Sequence, residues 1–160
     1  MLAERRRRGQ AGITYLELVA TVAIVMIMAL AILPTTRVVR KRQRELELRR
    51  ALREMRTAID RFKLGTEQGK IGGIDLSPDS EGYPKDLEIL VKGVSQVGAI
   101  DKKLKFLRRI PVDPMTGARE WGLRCYQDTA ESDSWCGRNV YDVYTKASGK
   151  GLDGIPYREW

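Results

Sequence analysis

The pattern of apolar and polar positions changes character twice along the chain. From Ile13 to Leu33 nearly every residue is apolar, and only Thr14, Glu17 and Thr21 are clearly polar. At about 1.5 Å of rise per residue, a helix of that length reaches roughly 30 Å, the thickness of a bilayer's hydrocarbon core. The run therefore predicts a membrane-spanning helix over 13–34. Pro34 lacks an N–H and clashes with the carbonyl of Leu30 one turn back, so the helix should kink or loosen there. Over 35–64 the pattern becomes amphipathic. Leu48, Leu52, Met55, Ile59 and Phe62 recur at alternating steps of four and three, which predicts one apolar stripe on a helix continuous with the first. Arg49, Arg50, Arg53 and Arg56 fall mostly off that stripe and read as a solvated basic face. Glu45 and Arg49 are spaced as an i, i+4 pair.

The helical period stops near Gly65. Residues 65–82 carry turn residues and no period, and predict a loop. Lys85 to Val91 predicts a short helix with Pro84 near its start. Residues 93–103 read as loop. Ile110 to Gly117 is rigid, because Pro111 and Pro114 fix φ and bias their predecessors away from helix. Residues 121–126 alternate like a strand with Trp121, Leu123 and Cys125 on one face, and 140–145 read as the returning strand. A Gly-rich loop over 148–156 and a short tail close the chain. The expected fold is α+β: a long N-terminal helix, half membrane-spanning and half amphipathic, packed on a small antiparallel sheet. Residues 1–12 form a basic leader and 65–160 a small globular domain.

Charge changes this picture by where it lies. The chain has 160 residues and a formal net charge of +8. Residues 1–12 carry +3, residues 13–36 carry −1, residues 37–63 carry +7 and residues 64–160 carry −1. The basic excess belongs to the leader and one helix, not to the globular part. That pattern argues against a nucleic-acid-binding domain and for contact with anionic lipid or acidic partner surfaces.

Candidate chemistry is sparse. There is no histidine, so the usual general base and the usual triads are missing. No P-loop or dinucleotide-binding fingerprint occurs, and no enzyme is expected. Cys125 and Cys136 match no common zinc spacing. They either bridge a short loop, worth about 3 kcal/mol in an oxidising compartment, or remain two unpaired thiols. Glu17 is the one ionisable group in the apolar run, and a carboxylate there costs a few kcal/mol unless it is paired, so its default reading is functional.

Gly12, Ile13, Thr14, Leu16, Glu17 and Leu18, behind Arg5 to Arg8, resemble the prepilin signal of type IV pilins and of type II secretion pseudopilins. The order of Gly82-Tyr83-Pro84, a Leu-rich helix, a Pro-x-Asp-Pro turn, a Tyr-rich strand and a Gly-x-Asp-Gly loop is similar to the major pseudopilin branch. The resemblance covers almost the whole chain. It implies a pilin-like fold and cleavage between Gly12 and Ile13 by a prepilin peptidase, a membrane-embedded aspartic enzyme. It also implies N-methylation of Ile13. Ile13 stands where the family usually has Phe, and Tyr15 where it has an aliphatic residue; both keep apolar bulk. Glu17 becomes the fifth residue of the trimmed chain, the position whose carboxylate pairs with a neighbouring subunit's amine. Pro34 falls where many pilins carry a proline that softens the helix for assembly. The pseudopilin branch usually holds calcium in an acidic C-terminal loop. Here that loop offers only Asp153 beside Lys150, so calcium is possible but a tight site is not expected.

The function so implied is that of a structural subunit of a type II secretion pseudopilus, a periplasmic filament that drives protein export. Its partners would be copies of itself, the peptidase, an inner-membrane assembly platform, minor pseudopilins and lipid, with no nucleic acid. The location would be the bacterial inner membrane, single-pass, with the C-terminal domain periplasmic. Two alternatives stand beside it: a type IV pilin of a surface fibre, and a non-assembling single-pass protein whose basic helix binds lipid or nucleic acid. Lys/Arg counts flanking the span are higher after it than before, which on its own favours a cytoplasmic C-terminal domain.

Overall fold

The stripe at Leu48, Leu52, Met55, Ile59 and Phe62 becomes the buried face of one long helix, α1 (Tyr15–Glu67). In this computed structural model the described residues are 12–72, 78–99, 102–129 and 131–160, with backbone alone at 30–35 and 78. Residues 1–11 of the expected leader lie outside them. The chain divides into two units, Met1–Arg40 and Lys41–Trp160.

In the first unit Thr14 starts α1, and the helical assignment is unbroken across position 34. The side chain of Pro34 lies outside the described residues. The expectation of a transmembrane span over 13–34 is corrected: among the described residues no helix is long and apolar enough to cross a membrane. A span takes about 20 consecutive apolar residues. The single-pass inner-membrane location, with its periplasmic C-terminal domain and filament, falls with the span.

In the second unit α1 ends in a Schellman motif. The N–H of Lys70 donates to the carbonyl of Gly65 at 2.9 Å and that of Gly69 to Thr66 at 2.9 Å, with Gly69 at φ 65° in the left-handed region that a side chain disfavours. A short 3-10 helix (Pro78–Ser80) leads to α2 (Leu87–Lys92). Asp86 caps α2, its carboxylate accepting from the N–H of Ile89 at 2.8 Å.

The fold is α+β, as expected in outline, but the single sheet is two. Strands β1 (Val94–Ser95) and β2 (Lys103–Leu104) pair antiparallel, and so do β3 (Trp121–Arg124) and β4 (Asp142–Thr145). In the second pair Trp121 faces Thr145 and Arg124 faces Asp142. The expected alternation of β3 fails. Gly122 and Arg124 are buried along with Trp121. Gly122 lies under the Tyr144 ring, where any Cβ would overlap that ring. Arg124 stacks on Tyr144 at 4.3 Å from the ring centroid and pairs with Asp142.

One core joins these elements: the α1 stripe, Leu87 and Leu90 of α2, Val94, Leu107, Trp121, Val140, Val143 and Tyr157. The Pro-rich turn is pinned to β4 from inside. Fully buried Asp113 accepts from the hydroxyl of Thr145 at 2.5 Å and from the N–H of Met115 at 2.8 Å. A disulfide joins Cys125 to Cys136, with their Cα atoms 5.9 Å apart. A loop of this size contributes about 3 kcal/mol by restricting the unfolded chain.

Candidate functional site

The residues singled out by sequence fall in two places, the start of α1 and the C-terminal loop. Gly12, Ile13 and Thr14 are exposed, non-helical chain directly before α1. Thr14 is its N-cap: the hydroxyl accepts from the backbone N–H of Glu17 at 3.3 Å, and the Thr14 carbonyl accepts from Leu18 at 3.0 Å. Sequence reasoning overlooked this role, although Thr-x-x-Glu at 14–17 is the spacing of a capping box. Glu17 thus sits in the first turn, where the helix dipole favours negative charge. Its carboxylate is exposed and makes no ion pair among the described residues.

The side chains around Glu17 are unusual for exposed surface. Ile13 is 74% exposed and Leu16 80%, and Leu18, Val19, Val22, Ile24, Val25, Met26, Ile27 and Met28 are all exposed as well. An apolar patch of that extent marks an interaction surface. A helix apolar on all sides belongs inside something larger.

The C-terminal loop is organised differently. Asp153, the calcium candidate, is taken by Arg49 of α1 at 2.7 Å and also accepts from the N–H of Ile155 at 3.0 Å. Lys41 donates to the carbonyl of Lys150 at 2.8 Å. Glu45 is only 7% exposed and accepts from both the N–H of Leu152 and the hydroxyl of Tyr157, each at 3.0 Å. Arg49 stacks on Trp160 at 4.2 Å from the ring centroid. Arg56 pairs with Asp142 at 2.6 Å and donates to the Trp160 carbonyl at 2.7 Å. Calcium wants six to eight oxygens, several of them charged. The loop's single carboxylate is neutralised by a guanidinium, and an ammonium holds a loop carbonyl, so these residues do not fit a calcium ion. Cys125, Asp128 and Cys136 also lie together. Their sulfurs are joined in the disulfide and offer no thiolate to a metal.

Glu45 and Tyr157 have a measurable consequence. Burial, then the hydrogen bond to the Glu45 carboxylate, then the charges of Glu45 and Asp153 push the Tyr157 hydroxyl up to about 12. An unfolded chain ionises this tyrosine near pH 10. The folded state holds the proton more tightly, so the stabilisation is complete below about pH 10 and is lost as pH rises through about 12. Thermal melts between these values should show falling stability with release of tyrosinate absorbance. Tyr157→Phe should be less stable at neutral pH and should flatten that alkaline slope; an unchanged slope would contradict the assignment.

Comparison with family models, with curated proteins and with solved structures returned no match.

Proposed function

We propose that this chain is a filament-forming structural subunit of the type IV pilin-like kind, closest to the major pseudopilin of type II secretion. One observation carries the reading: a helix start with an exposed apolar surface from Ile13 to Met28 and a lone carboxylate, Glu17, one turn in. The exposed, non-helical stretch at Gly12–Ile13 suits a peptidase, which needs extended chain. Hydrolysis of that amide leaves a carboxylate on Gly12 and an amine on Ile13. The amine is a cation at the head of an apolar rod, and a methyl donor can then modify it. Packing rod against rod covers the exposed side chains, each contributing about 1.5–3 kcal/mol when fully buried. Glu17 of one subunit then neutralises the Ile13 amine of the next, offsetting the desolvation of both charges. An N-terminal helix before a small α+β domain is consistent with this role.

The test is the mass of the protein recovered from cells that produce it with a prepilin peptidase. The expected species begins at Ile13 and is heavier than residues 13–160 by one CH2, a methyl group in place of an amine hydrogen. Electron microscopy of the same preparation should show filaments. Recovery of a chain that retains Gly12 and stays monomeric ends the proposal, whereas fibres on the cell surface would move it to the type IV pilin alternative.

A further inference from the structure

The arginines of the second unit fall into two classes. Arg49, Arg56, Arg124 and Arg158 are ion-paired, to Asp153, Asp142, Asp142 and Asp133 respectively. Arg42, Arg44, Arg50, Arg53, Arg61, Arg108, Arg109, Arg119 and Arg138 are exposed and make no ion pair among the described residues. Six of these nine converge: Arg50, Arg53, Arg61, Arg108, Arg109 and Arg119. A groove of about 490 Å³ runs between α1 and the segment after β2, with Arg50, Arg53, Arg61 and Arg108 around it and Ala58, Phe106 and Leu107 in its wall. A second groove, of about 420 Å³, continues from it, sharing Arg108 and Glu54 and adding Arg109 and Arg119 around Ile110, Pro111 and Val112. Among the described residues Glu54 is the only carboxylate that lines either groove.

Six guanidinium groups held around two apolar-walled grooves are more than a solvated helix face. They come from three separate stretches of chain, which the fold brings to one place. Mutual repulsion is tolerable there only in water or against a counter-charge. That all six are arginine, with no lysine, favours planar bidentate recognition of carboxylate or phosphate. The walls choose between these. A nucleic acid needs an uninterrupted anion track and exposed aromatic faces for bases. Here Glu54 interrupts both grooves, and the one aromatic ring, Phe106, is half-buried and engaged edge-on with Phe62. An extended peptide that alternates carboxylate and apolar side chains would satisfy both the arginines and the aliphatic wall.

We propose that these joined grooves are a docking surface for an acidic segment of another protein, with carboxylates alternating with apolar residues. The surface lies wholly within Lys41–Trp160 and does not depend on trimming at Gly12. Fluorescence anisotropy with the full chain tests it, using a labelled peptide of alternating glutamate and leucine. A labelled single-stranded oligonucleotide and anionic phosphatidylglycerol vesicles serve as competing probes. The peptide should bind saturably and weaken with salt. Arg53→Glu and Arg108→Glu should each weaken it by about tenfold or more. Arg108→Lys should lose part of that, because an ammonium cannot make the forked contact. Arg138→Glu, an equal charge change outside the grooves, should bind as the parent does. Circular dichroism confirms folding of each variant. Absence of saturable peptide binding would overturn the proposal. So would equal weakening by Arg138→Glu, or tighter binding of the oligonucleotide or the vesicles at the same ionic strength.

Discussion

Glu17→Ala is expected to leave cleavage between Gly12 and Ile13 intact and to reduce filament yield to a small fraction of the parent's. The two steps separate because the bond cut lies before the helix and Glu17 lies inside it. Alanine is a good helix former, and the Thr14 cap accepts the residue-17 backbone N–H whatever the side chain. The loss belongs to assembly. Without Glu17, each neighbouring Ile13 amine would be buried among apolar side chains with no counter-charge, at a cost of about 3–5 kcal/mol. That corresponds to roughly a hundredfold or more in the association constant. Glu17→Gln keeps the shape and removes the charge, so it should fail nearly as badly. Sedimentation of filaments from equal amounts of trimmed subunit is the measurement. Parental yield from either variant would remove the pairing role while leaving the trimming claim intact.

Phe62→Ala is expected to cost about 3–5 kcal/mol of stability, a large share of the roughly 5–15 kcal/mol that holds an ordinary domain folded. Phe62 is fully buried on the α1 stripe. Its ring meets Phe106 edge-on with centroids 5.4 Å apart, which ties α1 to the segment after β2. Truncation removes the apolar burial and leaves a cavity that the backbone on either side cannot close. Equilibrium unfolding in urea measures it: the midpoint should fall with little change in slope. A loss below about 1 kcal/mol would mean that this end of the core repacks freely.

The α1 stripe was legible because a period of 3.6 writes burial directly into residue spacing, and Leu48 to Phe62 obey it. The start of α1 was equally local, and Thr14-x-x-Glu17 held the cap in plain view. The short helix after Gly82-Tyr83-Pro84 was readable within two residues of its limits. Strands β1 and β2 were not, because two residues cannot display a period of two. Arg124 misled for another reason. Its burial depends on Asp142 and Tyr144 of the opposite strand, and the expected alternation took no account of a partner that could carry a guanidinium inside. The transmembrane span was an inference from length and composition, and it is corrected because no helix among the described residues is long and apolar enough to cross a membrane.

The C-terminal loop marks the boundary between the two kinds of information. Sequence alone determined where helix, turn and the longer strand segments form, which face of α1 is apolar, and where a lone carboxylate sits in an apolar run. Each depends on residues within one or two turns of one another. Tertiary structure decided that Glu45 is buried under Tyr157, that Arg49 pairs with Asp153, that Cys125 meets Cys136, and that six arginines surround one pair of grooves. The contacts of Glu45 and Arg49 join residues 104 to 112 positions apart. A charged side chain has no periodic signature that says whether its counterpart lies in water or a hundred residues downstream, and only the folded chain brings the two within hydrogen-bonding distance.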